Sequence, residues 1–327
     1  MPQAPFVVQP QLTAITLTYR NGKLIADDVL PRIPVLSPNF KYSKYAQADA
    51  FTIPDTRVGR KGDVNEIDWS ATEATASTSD YGLEDPIPYA DLAAAAAAPK
   101  VAGVMPIDPM ARSTEVLTDL VLLDREQRAA NLVFGAGNYA TANKLTLTSG
   151  GTAGGYQWDV YASSDPVAAI LEAFDGMLVR PNTGVLGRAV YSKLRQHPKV
   201  IAAVFSMGGN AVTGGVASLQ AIQDLLELDE LLIGEGWVNS AKKGQAASLG
   251  RVWGKHAAFI YKNAQVQSPQ GGITFGFTGE WGTRVSGIIE NDPDIGLRGG
   301  TRVRVGESVV ELVTANDAGF LFTNAVG

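Results

Sequence analysis

The feature that most constrains this chain is one uninterrupted helical pattern from Asp108 to Phe134. Asp108 followed by Pro109 is a helix start: a carboxylate able to accept from the first free amides, then a residue whose missing N–H is not needed there. Met110, Leu117, Leu120, Val121 and Ala129 fall on one side at three- and four-residue steps, with Glu115, Asp119, Glu126 and Arg128 elsewhere. Gly135 and Gly137 end the pattern. At 1.5 Å per residue the rod is roughly 40 Å long. A rod of that length is enough to span the whole width of a flat molecule.

Upstream, residues 1–45 carry Pro2, Pro5, Pro10, Pro31, Pro34 and Pro38 among short apolar runs such as Leu12 to Tyr19, without helical periodicity. This reads as an extended arm, either a free tail or a strap lying on its own chain or on another subunit. Residues 46–88 change to polar alternation. Thr52, Ile53, Arg57 and Val58 lead to the turn Gly59-Arg60-Lys61-Gly62-Asp63, and Val64 to Trp69 follow, which describes a long hairpin. Asp63, Glu66, Asp68, Glu73, Asp80, Glu84 and Asp85 make this segment acidic, whereas the arm has Arg20, Lys23, Arg32, Lys41 and Lys44 against Asp27 and Asp28. Such opposite charge either draws the two segments together between subunits or marks two solvated surfaces.

Downstream of the long helix, residues 136–163 are rich in Gly, Thr, Ser and Asn and read as a loop or a pair of short strands. Asp165-Pro166 starts a second helix with Val167, Ile170, Leu171 and Phe174 at helical spacing. Val185 to Val190 reads as a strand, Ser192 to Gln196 as a helical turn, and Ser218 to Leu226 as a third amphipathic helix. Strand patterns then dominate: Glu230 to Gly234, His256 to Tyr261, Ile273 to Trp281, Arg284 to Ile289, Arg302 to Val305 and Ser308 to Thr314. Turn glycines between them, Gly306 included, predict mostly antiparallel hairpins and an α+β chain.

The chemistry available is narrow. With no cysteine among 327 residues there are no disulfides, thiolate metal sites or thiol nucleophiles. A net charge of -6 provides no basic footprint for nucleic-acid reading, and charged residues are only 18% of the chain, which suits a surface hidden against neighbours. Met1 to Pro10 lacks the pattern of a signal peptide, and the longest apolar run, Ala90 to Ala98, is too short to cross a bilayer. His197 and His256 lie in different segments, so no metal or cofactor is expected. Ser206, in Val204-Phe205-Ser206-Met207-Gly208-Gly209, lacks the Gly-x-Ser-x-Gly spacing of a nucleophile elbow. Gly59-Arg60-Lys61-Gly62 lacks the phosphate-loop order, and the acidic loop at Glu290, Asp292 and Asp294 lacks the EF-hand order.

Arm, hairpin, long helix and compact α+β half together resemble the Hong Kong 97 type capsid fold of tailed-phage major capsid proteins. Several stretches are similar to that family: Asp124-Arg125-Glu126 to Phe134, Ser164-Asp165-Pro166-Val167 with Trp158 upstream, Val185-Leu186-Gly187 to Pro198, Leu225 to Asn239, and Val252-Trp253-Gly254-Lys255 to Tyr261. The resemblance covers most of residues 40–327. Encapsulin compartments share the fold with a weaker match.

The resemblance implies an N-terminal arm (1–45), an extended hairpin loop (46–88) and a peripheral domain (89–184) with the spine helix at about 106–135. It also implies an axial domain (185–290) and C-terminal strands (291–327) returning to the peripheral domain. The subunit would form hexamers and pentamers of a head around double-stranded DNA, read without sequence specificity, in the host cytoplasm. Scaffolding protein, portal and a decoration protein would be its partners; no membrane is involved. Contacts between copies would involve Arg57, Arg60, Lys61, Asp63, Glu66 and Trp69 of the hairpin. Ser206, Gly208, Gly209 and Asn210 would lie near the capsomer centre. No catalysis is implied; rival readings are a cysteine-free hydrolase and an exported surface-layer protein.

Overall fold

The computed structural model describes residues 7–18, 23–44, 53, 56–58, 62, 64, 72–97, 108–151, 155–205, 215–242, 244–265, 268–269 and 272–327. In chain order the strands are β1 (Val7–Val8), β2 (Arg32–Val35), β3 (Asn39–Lys44), β4 (Thr72–Ser77), β5 (Ser79–Pro88), β6 (Lys144–Thr146), β7 (Thr183–Gly187) and β8 (Glu230–Gly234). They continue with β9 (Trp237–Asn239), β10 (Leu249–Arg251), β11 (Ala257–Ile260), β12 (Gly276–Trp281), β13 (Val285–Asp292), β14 (Gly300–Val313) and β15 (Gly319–Thr323).

A six-stranded sheet is built on β14. The strands β13 and β12 pair antiparallel with successive halves of one of its edges, and β5 pairs antiparallel along the other. Outside these, β1 pairs with β13 and β2 runs parallel to β12. A five-stranded sheet has the order β6-β15-β11-β7-β8, with parallel pairs at both ends. Two small ribbons, β3 with β4 and β9 with β10, complete the set.

The long helix runs from Pro109 to Val133, and the Asp108 carboxylate accepts from the Met110 amide at 3.0 Å, as the Asp-Pro start requires. Leu117, Val121, Leu122, Ala129, Ala130 and Val133 are buried. Two expectations fail here: Leu120 is 47% exposed, and Glu126 is fully buried beside Arg125. The helices Pro166–Asp175 and Leu219–Leu225 form where expected, capped by Asp165 and Ser218. A further helix, Tyr89–Ala97, follows β5 and buries none of its residues.

Pro10–Thr18 is helical, not extended. Pro10 occupies the first turn, where a proline is tolerated, and Leu12 and Ile15 pack on Leu117, Ile288, Val303 and Val305. Residues 136–138 and 141–143 form 3-10 turns ahead of β6. Residues 300–313 form one strand, although Gly306 reads as a turn. The glycine serves close approach instead: it lies opposite Gly82 of β5, and a Cβ on it would sit 2.9 Å from the Tyr81 carbonyl oxygen. The C-terminal strands pair antiparallel as expected, in β11–β15, β12–β14 and β13–β14, whereas the upstream strands β2, β6 and β7 add parallel pairs with β12, β15 and β8.

Candidate functional site

Among the described residues, a dense polar cluster lies where the N-terminal segment, the long helix and the six-stranded sheet meet. Glu126, without solvent exposure, accepts from the amides of Ile25 (2.9 Å) and Ala26 (2.7 Å) and from the Trp253 indole N–H. It therefore caps the short helix Ala26–Val29 from another element. Arg125, equally buried, donates to Asp27, to Thr278 Oγ1 at 2.9 Å and to the Leu30 carbonyl at 3.3 Å. Arg32 donates to Asp27, Glu280 and Glu307, and Arg284 joins Glu307 to the Thr16 carbonyl. Arg128 pairs with Glu311 and stacks on Tyr81, 3.6 Å from its ring centre.

Burial drives the Glu126 carboxyl above the ordinary glutamate value, and the donors from Ile25, Trp253 and Ala26 pull back only part of the rise. Burial also opposes ionisation of Asp27 and Glu307. There the arginines outweigh it: Arg125 and Arg32 hold Asp27 below the usual carboxylate range, and Arg32 and Arg284 do so for Glu307. Because every one of these carboxylates is engaged by a guanidinium or by N–H donors, the arrangement works as a clamp on residues 25–32 and not as an acid–base centre.

Three of the sequence stretches singled out above converge on a second point. Gly187 and Gly234 are register partners in β7 and β8. A Cβ on Gly234 would lie 2.1 Å from the Trp253 ring, and one on Gly187 would lie 2.3 Å from the Gly254 carbonyl oxygen. Trp253 is fully buried and meets Phe134 edge-on at 5.4 Å. The same indole reaches Glu126, so one side chain joins the sheet of β7 and β8 to the clamp.

Of the residues weighed for chemistry, His197, His256 and Asp292 are held in structural contacts. His197 is buried; its Nδ1 accepts from the Lys199 amide at 3.2 Å, which puts the ring proton on Nε2. Nε2 then donates to Ser164 Oγ at 2.9 Å, and that hydroxyl donates to the Val160 carbonyl at 2.8 Å. This polarity is the reverse of what activates a serine. Burial, aided by Lys199 against the Asp165 charge, keeps the ring below its ordinary value. His256 Nδ1 accepts from the Asn324 amide at 3.1 Å. Asp292 is held by Arg302 and by the Asp294 amide. Among the described residues, no three His, Asp or Glu side chains gather as a cation site, and no helix is long and apolar enough to cross a membrane.

Of the residues expected at contacts between copies, Arg57 is described and exposed. Arg60, Lys61, Asp63, Glu66, Trp69, Ser206, Gly208, Gly209 and Asn210 lie outside the described residues. Close to Arg57 in sequence, the large apolar side chains of Ile53 and Val64 are 92% and 76% exposed. Phe205, Val216 and Leu219 are likewise exposed around the segment containing Ser206. Sequence reasoning missed the β9–β10 ribbon, whose outer face shows Trp237 and Leu249, with Arg251 stacked 4.2 Å from the Trp237 ring.

The chain is 49% identical to the major capsid protein of Pseudomonas phage JBD67 over 326 residues, which is 100% of this chain and 99% of that one. Among solved structures, a phage-related protein of Bordetella bronchiseptica RB50 superposes with a TM-score of 0.74 at 22% identity, covering 99% of both chains. The capsid structure of cyanophage P-SCSP1u gives 0.58 at 12% identity, covering 99% of this chain and 92% of that one. No family model matches the chain.

Proposed function

Because this chain belongs to the family of phage major capsid proteins and has their α+β Hong Kong 97 type fold, we propose that it is the repeating wall subunit of an icosahedral head. Copies join in hexamers and pentamers by head-to-tail contacts that close into rings. The single observation that carries this reading is the full-length identity to the Pseudomonas phage major capsid protein. The exposed apolar residues of the hairpin region and of the segment around Ser206 are consistent with it, since each gains about 25 cal/mol per Å² when a neighbour covers it.

In this reading residues 89–184, with the long helix, form the peripheral part together with the returning strands of 291–327, and residues 185–290 form the axial part. The hairpin, with Arg57, Arg60, Lys61, Asp63, Glu66 and Trp69, lies over a neighbour, and Ser206 to Asn210 approach the ring centre. The wall encloses double-stranded DNA without reading its sequence and is assembled in the host cytoplasm with scaffolding and portal proteins, and with a decoration protein where one binds. It catalyses nothing; the reversed polarity of the Ser164–His197 pair favours this over a hydrolase.

Electron microscopy of the purified protein, alone and co-expressed with its scaffolding protein, tests the proposal. Shells, tubes or capsomer rings are the expected result. A protein that stays monomeric at high concentration under both conditions would overturn it.

A further inference from the structure

Charge is unevenly distributed along this chain. Residues 62–99 hold eight acidic side chains and no Lys or Arg, whereas residues 236–279 hold five Lys or Arg and no acidic side chain. The acidic stretch supplies β5 and the helix after it, and the basic stretch supplies the β9–β10 ribbon and the turn into β11. These are parts of different sheets, and no ion pair joins them within the chain among the described residues.

Each surface also has what a contact needs besides charge. On β5, Glu84 is shared between Arg302 and Arg304, but Asp80 and Asp85, and Asp91 in the helix that follows, have no cation within ion-pair distance among the described residues. Leu83 beside them is 41% exposed, and among the described residues β5 has β14 as its one strand partner, along one edge. On the ribbon, Trp237 is 51% and Leu249 66% exposed, and Lys242 and Lys255 are exposed around them. An exposed tryptophan stacked with arginine is the composition that dominates binding energy at protein interfaces.

Resting on the capsid reading above, we propose that the acidic β5 edge of one copy, with Asp80 and Leu83, and Asp91 of the helix that follows it dock on the basic β9–β10 ribbon of a second copy around Trp237. The contact is heterologous, so every subunit offers both halves and a ring can close. Opposite charge sets the register and Trp237 with Leu249 supplies the desolvated centre. Packaged nucleic acid would also favour Lys242 and Lys255. It gives no role to the exposed Leu249 or to the matching acidic surface, and so is the less favoured occupant.

The test is charge exchange in the full chain. Lys242→Glu with Lys255→Glu is expected to lower the yield of assembled particles about tenfold at physiological salt, read by sedimentation and microscopy, while the unfolding midpoint stays that of the parent. Adding Asp80→Lys and Asp91→Lys to the same chain restores the yield, because the two patches are again opposite in sign. Trp237→Ala, which removes a half-exposed side chain, lowers the yield without lowering the midpoint. Parental yields from the double variant, or a folded quadruple variant that stays unassembled, would overturn the proposal. Normal shells that retain less DNA would also overturn it and assign the ribbon to nucleic acid. If the parent chain itself never assembles, the capsid reading fails and this contact falls with it.

Discussion

Glu126 faces three donors and no acceptor. Glu126→Gln keeps the shape but turns one oxygen into a donor, so at least one of the Ile25, Ala26 and Trp253 N–H groups loses its partner. The expected loss is about 1–3 kcal/mol in urea unfolding, the cost of an unsatisfied buried polar group. A neutral result would mean that the raised carboxyl is protonated in the folded chain. Asp27 and Glu307 behave oppositely. Their folded values lie below the ordinary 3.8 and 4.5, so their stabilisation is complete above those values and drains away as pH falls through the depressed ones. Asp27→Asn should therefore lower the unfolding midpoint at pH 7 and flatten its decline below about pH 4. An acid limb identical to that of the parent would remove Asp27 from the clamp.

At the scale of elements, glycine positions separate contact from turn. Gly187→Ala drives a methyl into the backbone carbonyls of Trp253 and Gly254, which cannot move aside without distorting the turn before β11. The expected cost is about 3 kcal/mol or more. Gly250→Ala, in β10 with open space around it, should change stability by less than about 0.5 kcal/mol. Thermal unfolding of the two variants checks the contrast. It also marks how far the sequence could be read. Asp108-Pro109, Asp165-Pro166 and Ser218 are local signals, and the helices start where they say. Gly306 looks like a turn residue because its partner, Gly82, is far away in sequence, and the close approach of the Trp253 and Gly254 carbonyls to Gly187 is invisible for the same reason. Glu126 misled for the same reason: a carboxylate reads as solvated until Ile25, Ala26 and Trp253 are seen to close over it. Pro10–Thr18 became a helix through burial of Leu12 and Ile15, not through any periodicity of its own. The residues expected at contacts between copies were chosen by resemblance, because a loop's charges read the same whether they face solvent or another copy.

The whole molecule is held together across its length by the N-terminal segment, and two truncations separate that segment's two roles. Removing residues 1–22 deletes the helix over Leu117 and Ile288 and the Thr16 carbonyl that Arg284 uses. It leaves Ile25, Ala26, Asp27 and Arg32 in place. Removing residues 1–31 also strips Glu126 of its two backbone donors, Arg125 of Asp27 and of the Leu30 carbonyl, and the core of Val29 and Leu30, both fully buried. A charge left buried without its partner typically costs about 3–5 kcal/mol, a large share of the roughly 5–15 kcal/mol that keeps a domain folded. The shorter truncation should give a soluble chain with a cooperative but lowered unfolding transition. The longer one should give a chain with no cooperative transition, and therefore no subunit to assemble. Calorimetry on both, followed by microscopy of whatever is soluble, decides. A cooperative transition in the longer truncation would mean that the long helix and the two sheets hold without the clamp, and that residues 23–31 act only between copies.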